Sequence, residues 1–326
     1  MKKVYFCFVL FSLLTLGACH NDDSYKQNQP QPQQPTDIRL VLAGRVGTVV
    51  GDSLSEYIEA LNLLLFRENN AGNYLLYRQK MLTKNELRAL ANGDIASEAG
   101  FTVFKEVTFD TVPVGNYQIV GVGNVLDSTG AAMPNVAFSG LTIGAAMSDV
   151  MVTVRDGEES PRLFLGMTNA ISAGSDTDAL PVMRLYRKVS MFALTLLKIP
   201  DVVNRIDMEF EQTDGSFNMQ GNYSGNNFVL ASKTYTQQVQ DSITLNYVML
   251  PTVQGDSTSI LATFYLSGGA KQPVTLPKYL LAPNTITKVT ATIDPDQSGN
   301  AWKVNINSLI TVNVEWNVDQ EPPIVI

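Results

Sequence analysis

The chain is poor in the side chains that do chemistry. Its one histidine, His20, and its two cysteines, Cys7 and Cys19, all fall within the first twenty of 326 positions. A Ser-His-Asp or Cys-His machine therefore cannot be assembled in the body of the protein. No Cys or His spacing fits zinc, and no glycine-rich loop fits a phosphate site. Charged residues are only 17% of the chain, and 23 basic against 31 acidic residues leave a net charge of −8. That balance repels nucleic acid phosphates. The composition thus points away from an enzyme, from cofactors and metals, and from nucleic acid partners.

What is present begins at the N-terminus. Met1-Lys2-Lys3, an apolar run from Val4 to Leu16 and the small pair Gly17-Ala18 have the layout of a secretory signal over residues 1–18. The run is too short and wrongly flanked to span a bilayer. Its end, Leu16-Gly17-Ala18-Cys19, resembles the lipobox of bacterial lipoproteins, in which the cysteine becomes residue one and carries a diacylglycerol. The alternative is an ordinary signal peptide with an incidental cysteine. Cys7 lies in the removed segment, so the mature chain has one thiol and no disulfide partner for it. Several acyl chains on Cys19, each methylene worth roughly 0.8 kcal/mol, make a stable membrane anchor.

Residues 19–37 form the next unit. From His20 to Asp37 there is no aliphatic side chain and much Gln and Pro, the composition of an extended tether. Within it Asn21, Asp22 and Asp23, directly behind the cysteine, resemble the short acidic signal that sends some lipoproteins to the cell exterior. The plainer reading of the acidic pair is a solvated turn.

The remaining 290 or so residues suit two domains of average size. Removal of Lys2 and Lys3 leaves this mature chain 21 basic and 31 acidic residues, a net charge near −10. Period-two alternation recurs: Ile38, Leu40 and Leu42; Val103, Val107 and Phe109; Ile310, Val312, Val314 and Trp316. Turn clusters such as NNAGN, DSTGAAMPN and GNYSGNN separate these runs. The pattern predicts an all-β fold with one or two short helices. One helix is expected in TKNELRALANGD, where Thr83 and Glu86 form a capping box and Leu87 and Leu90 share a face. The stretch DSLSEYIEALNLLLF fits either a helix or a bend followed by a strand over about Leu61 to Arg67, and the strand is favoured. The small, polar NAISAGSDTDALP marks the domain break, giving domains at 38–178 and 179–326, with a new strand from Val182.

Three local patterns admit a functional reading and a plainer one. Glu158-Glu159 has the residue types for glycoside hydrolysis, but sequence neighbours on a strand face opposite ways and a charged turn explains them. Asp294, Asp296, Ser298 and Gly299 start like a calcium loop, yet position twelve is Asn305 and strands flank it, so a hairpin turn is expected. Trp302 and Trp316 have the side chains of a sugar platform, or simply fill a core.

Family resemblance enters through particular residues. FDTVPVGNYQIVGVGN, Phe109 to Asn124, resembles the Pro-x-Gly-x-Tyr strand-turn-strand of transthyretin-like sandwich domains, with Pro113 ending a strand, Gly115 taking an unusual backbone angle and Tyr117 burying its ring. LYRKVSMFALTL from Leu185, YLLAPNTITKVTATID from Tyr279 and the C-terminal VNVEWNVDQEPPIVI resemble segments of the FimB-like, fimbrillin-associated anchor and minor subunits of type V pili. The resemblance implies two transthyretin-like β-sandwich domains in tandem, on an outer-membrane, surface-exposed lipoprotein of the fimbrium. It further implies partners in other fimbrial subunits, joined by strand exchange, and a host or bacterial cell-surface ligand. The run Ile310 to Ile326 is the donor candidate; alternatively ITVNVEW is the last strand of its own domain. Stalk subunits of such pili are cut after an arginine, and Arg45, just after the first expected strand, is the candidate here. Anchors keep their lipid. A glycan-binding surface lipoprotein is the alternative reading, and a surface enzyme on the same scaffold a third.

Overall fold

A computed structural model describes residues 35–44, 57–91, 102–174, 180–234, 242–253, 256–295 and 302–313. In chain order the first elements are β1 (Thr36–Gly44), β2 (Ala60–Glu68), β3 (Tyr74–Thr83), α1 (Lys84–Ala91), β4 (Thr102–Val112), β5 (Gly115–Gly123) and β6 (Val136–Ser139). Next come β7 (Met151–Val154), β8 (Phe164–Met167), β9 (Ile171–Ala173), β10 (Val182–Arg187), β11 (Ser190–Leu197), β12 (Val203–Thr213), β13 (Ser216–Asn218) and β14 (Tyr223–Ser224). The last six are β15 (Asn227–Thr234), β16 (Ser242–Met249), β17 (Thr258–Leu266), β18 (Lys271–Tyr279), β19 (Thr285–Pro295) and β20 (Trp302–Asn313). The fold is all-β, two sandwich domains in tandem, with one helix among the described residues.

The first sheet has the order β3-β2-β5-β8-β10-β1-β4, with β9 beside β5. It curls until its two edges face one another: Arg78 of β3 donates to the Asp110 carbonyl of β4 at 2.6 Å, and Lys80 to that of Thr108 at 3.2 Å. Inside the curl, Ile38, Leu40, Leu42, Leu61, Leu63, Leu65, Phe109 and Tyr117 form one core, closed by Leu87 of α1. The helix starts where the capping box requires. Glu86 accepts from the Thr83 amide at 2.7 Å while its own amide donates to the Thr83 hydroxyl.

The run Leu61 to Phe66 is a strand, and the unbroken apolarity of Leu63 to Phe66 has a direct cause. Odd positions face the inner core, whereas Leu64 and Phe66 face a second core on the outside of the sheet, together with Val120, Val122 and Leu165. A strand covered on both faces has no polar side to show. The outer cover is a small sheet, β14-β13-β7-β6, whose Val152, Val154, Phe217 and Met219 complete the second core.

The C-terminal sandwich packs β16-β11-β19-β20 on β15-β12-β17-β18. Alternate residues of β12 and β17, Ile206, Met208, Phe210, Ile260 and Phe264, meet Phe192, Leu194, Val289 and Ile293 in a third core. Phe192, Phe210, Tyr247 and Tyr279 stack in tilted or edge-on pairs at 5.3–5.4 Å.

Thr36 and Asp37, assigned to the tether by composition, open β1, and Asp37 accepts from the Thr111 amide at 2.9 Å. The anticipated domain break at 178 falls among residues outside the description, and the run from Val182 is two strands. The first of them, β10, pairs with β1 and β8, so the passage into the second sandwich comes at Lys188-Val189. The hairpin β13–β14 also departs from chain order: it follows β12 of the second sandwich but pairs with β7 of the first half, Phe217 opposite Val152.

Candidate functional site

In an all-β protein, the first and last of the described strands are places where another chain can pair. Among the described residues no group of three His, Cys, Asp or Glu is placed to hold a metal.

β1 is an inner strand. It runs parallel to β10, Val41 to Gly44 beside Val182 to Leu185, and antiparallel to β4 over its whole length. Ile38, Leu40 and Leu42 are all but fully buried. At about 1.5–3 kcal/mol for each such side chain, the strand contributes roughly 5–9 kcal/mol of burial. Its loss would leave the facing edges of β4 and β10 unpaired over Phe109, Met183 and Leu185 of the inner core. Arg45 follows directly on Gly44 and lies outside the described residues.

β20 is an edge strand, paired among the described residues with β19 alone. Its first part behaves as alternation requires: Trp302, Val304 and Ile306 lie half-buried on the third core, and Trp302 packs on Phe264 at 5.6 Å. At Asn307 the register slips by one residue, Ala291 facing Ile306 while Thr290 faces Ser308. Beyond the slip, Leu309 sits opposite buried Val289, so it points to the core side of its sheet, yet it is 54% exposed. Ile310 is 56% exposed on the other face, and Leu280, just past edge strand β18, is 61% exposed. At the same end the buried hydroxyls of Tyr279 and Thr287 have no partner among the described residues, and burial pushes the Tyr279 phenol up. Leu309 thus leaves core-facing apolar surface uncovered at the far end of edge strand β20.

Between the two sandwiches lies a set of coupled polar groups. The Lys188 ammonium donates to the Gly221 carbonyl at 3.0 Å and rests over the Tyr223 ring at 4.1 Å, while the Tyr223 hydroxyl donates back to the Lys188 carbonyl at 2.8 Å. Burial brings the Lys188 amine down to about 8, against the pull of Asp214. Burial likewise lifts Asp214 to about 6, against the pull of Lys188, and pushes the Tyr223 phenol well above its usual range.

Of the residues singled out in the sequence, Cys19, Asn21, Asp22, Asp23, Arg45 and Trp316 lie outside the description. Trp302 has its ring against the third core, a core-filling place. The first four residues of the donor candidate, Ile310 to Asn313, belong to β20 of their own domain, and the rest of that run is outside the description. The open seam at Leu309 could not be read in advance, because the slip at Asn307 changes which parity faces inward. β19 and β20 pair antiparallel up to Pro295 opposite Trp302, and Asp296, Ser298 and Gly299 lie outside the described residues.

The geometry has counterparts. The profile of the family described as fimbrillin-A associated anchor proteins Mfa1 and Mfa2 matches residues 31–321. No curated protein matches the chain in sequence. A candidate adhesin from Bacteroides ovatus superposes with a TM-score of 0.57 at 12% identity, covering 85% of this chain and 96% of its own. A candidate adhesin from Bacteroides thetaiotaomicron gives 0.56 at 12%, covering 84% and 96%. The fimbrial anchor protein Mfa2 from Porphyromonas gingivalis gives 0.55 at 12%, covering 86% and 98%. Such identities speak to fold, and the family profile speaks to kinship across nearly the whole length. The chain belongs to the fimbrillin-associated anchor protein family, and its role is that of an anchor or accessory subunit of a surface fimbrium, serving adhesion.

Proposed function

We propose that the protein is the lipid-held end of its fimbrium: acylated at Cys19, exposed on the outer membrane, and joined to the next subunit by strand exchange. The observation that carries the joining step is the open seam of the second sandwich, where Leu309 points to the core and is not covered. An extended strand laid along β20 gains main-chain hydrogen bonds from the bare edge and buries Leu309 beneath its own alternate side chains. The C-terminal run Ile310 to Ile326 is the reciprocal donor to a neighbouring subunit. The buried position of β1 supports retention of the N-terminal strand, and with it the lipid, since cleavage after Arg45 would remove a strand held on both sides.

In this reading the two folding units, meeting at Lys188-Val189, act as one spacer. The Asn21-Asp22-Asp23 run directs the lipoprotein to the outer face. No catalytic step is needed.

Intact-mass measurement of the protein extracted from membranes tests this directly. The expected species begins at acylated Cys19. A species beginning at Val46, without lipid, would overturn the anchor assignment in favour of a shed subunit whose first strand has been replaced by a neighbour's.

A further inference from the structure

The second sandwich has four edge strands among the described residues, β15 and β18 in one sheet and β16 and β20 in the other. Each edge is a row of main-chain groups on which another chain can pair. β15 invites pairing by its side chains as well. Phe228 and Leu230, alternate residues on its outer face, are 38% and 47% exposed, so the strand offers an apolar template along with its free edge. Yet this edge is occupied, and by the other half of the molecule. Residues 155–160, which follow β7, lie against it.

The hold is main chain on main chain. Arg155 to Glu158 is a turn, closed by the Glu158 amide on the Arg155 carbonyl at 3.2 Å. Within it the Gly157 amide donates to the Phe228 carbonyl at 3.0 Å, and the Leu230 amide donates to the Gly157 carbonyl at 3.2 Å, one rung of a parallel ladder beside Val229. Gly157 takes a φ of 83°, and the Phe228 ring lies 3.5 Å from where a Cβ would stand, so glycine suits the place twice over. Asp156 accepts from the Phe228 amide at 3.3 Å, an amide it shares with the Asn227 side chain. The same stretch then reaches β16: Ser160 donates its amide to the Val248 carbonyl at 2.9 Å, and the Val248 amide donates to the Glu159 carboxylate at 3.2 Å. One short segment thus fills outward-facing groups on two edge strands. On the opposite side of the sandwich no described residue outside β19 makes a main-chain hydrogen bond to β20.

We propose that residues 155–160 are an autoinhibitory edge block: they keep a second copy of this chain from pairing along β15 and leave β20 as the side on which subunits join. The part about β20 rests on the strand-exchange reading above, and the block on β15 does not. The consequence is one of valency. A sandwich closed on one side accepts a strand at one place only, so it cannot be joined from both flanks.

The test is sedimentation velocity of the full-length protein in nonionic detergent, with micelles in excess, at about 50 µM, a concentration at which exposed strand edges associate. Two variants lift the block. Gly157→Pro removes the amide that reaches Phe228 and forbids the positive φ. Asp156→Ala/Glu159→Ala removes both carboxylates, leaves the backbone unchanged and decides the matter if the first variant does not fold. In each, hydrogen exchange at the Leu230 amide should quicken at least roughly tenfold, and a dimer should appear that the native protein lacks. Adding Ser232→Pro should abolish that dimer. The Leu230 amide turns to Gly157 and away from β12, so the Ser232 amide, two residues on, also faces outward; proline there costs no ladder bond and spoils the free edge. Unchanged exchange at Leu230 in both variants, a freed Leu230 amide without a dimer, a dimer that survives Ser232→Pro, or a native dimer that Ser232→Pro dissolves would overturn the proposal. Detergent-resistant ladders with partner subunits keep the two readings apart, and they should form alike with the native protein and with Ser232→Pro. Their loss in Ser232→Pro alone would put joining on β15 and overturn the proposal; their absence from both would overturn the strand-exchange reading, with the block still decided by the dimer.

Discussion

Phe217→Ala examines how the two sandwiches are held together. Phe217 is fully buried, faces Val152 across the strand pair, and packs edge-on to Tyr223 at 6.1 Å. Truncating a buried phenylalanine costs about 3–5 kcal/mol, and 25 cal/mol/Å² over a ring burying some 150–200 Å² gives a like figure, about 4–5 kcal/mol. At roughly 2–4 °C per kcal/mol for a body of this size, Tm should fall by roughly 8–20 °C. The location matters more than the size. The hairpin belongs to the second sandwich by sequence and to the first half by pairing, so its release uncouples the two. Calorimetry should show one transition for the native protein and two for the variant. Hydrogen exchange should show protection lost over Ser216–Asn218 and kept over Val203–Thr213. Phe264→Ala is the control, equally buried but within the third core, and it should weaken the second sandwich without freeing the hairpin. A single transition in Phe217→Ala, with the hairpin amides still protected, would refute the reasoning.

Other expectations concern single positions. A Cβ on Gly166 would lie 2.5 Å from the Arg184 carbonyl of the next strand, whereas one on Gly121 would meet side-chain ends, the terminus of Met183 and a methyl of Leu185; urea titration should find Gly166→Ala at least about 2 kcal/mol less stable than Gly121→Ala. Tyr117→Phe removes a 2.7 Å bond to the Pro113 carbonyl and should cost about 1 kcal/mol with an unchanged urea slope. Because Asp214 holds its proton to about pH 6 in the folded state, stability should fall as pH rises from about 4 to 6, and Asp214→Asn should abolish that slope, of order 1 kcal/mol after screening by water. Lys188, with its folded value lowered to about 8, sheds its proton before the unfolded chain does, so stability should rise between about pH 8 and 10.5. Leu309→Lys at the open seam should leave the unfolding free energy within about 0.5 kcal/mol of native while abolishing detergent-resistant ladders with partner subunits, as followed by gel electrophoresis.

Local chemistry was legible wherever one segment settled its own structure. The capping box at Thr83 and Glu86 set the start of α1, and the alternation of Ile38, Leu40 and Leu42 set a half-buried strand. Pro113, Gly115 and Tyr117 made the strand-turn-strand, with Gly115 at a φ of 153° that disfavours a side chain and the Tyr117 hydroxyl closing on Pro113. Long-range pairing was not legible. Nothing in residues 182–187 says that they lie beside β1 rather than open the second domain, because six alternating residues fit either sheet equally well. The hairpin at Ser216 reads as a short turn-rich insertion, and only its partner β7 reveals what it joins. The seat of Gly157 on β15 joins two stretches whose order in the chain carries no trace of their meeting.

The placement of β1 also bears on mechanics. Tension arriving through the N-terminal tether enters the body along the axis of a strand flanked on both sides, so it acts as shear on two ladders at once. An edge strand loaded from its end would instead peel open one hydrogen bond at a time. Under the proposed attachment, a subunit fastened to a membrane at one end and to a filament at the other would meet its load through the strand least able to unzip.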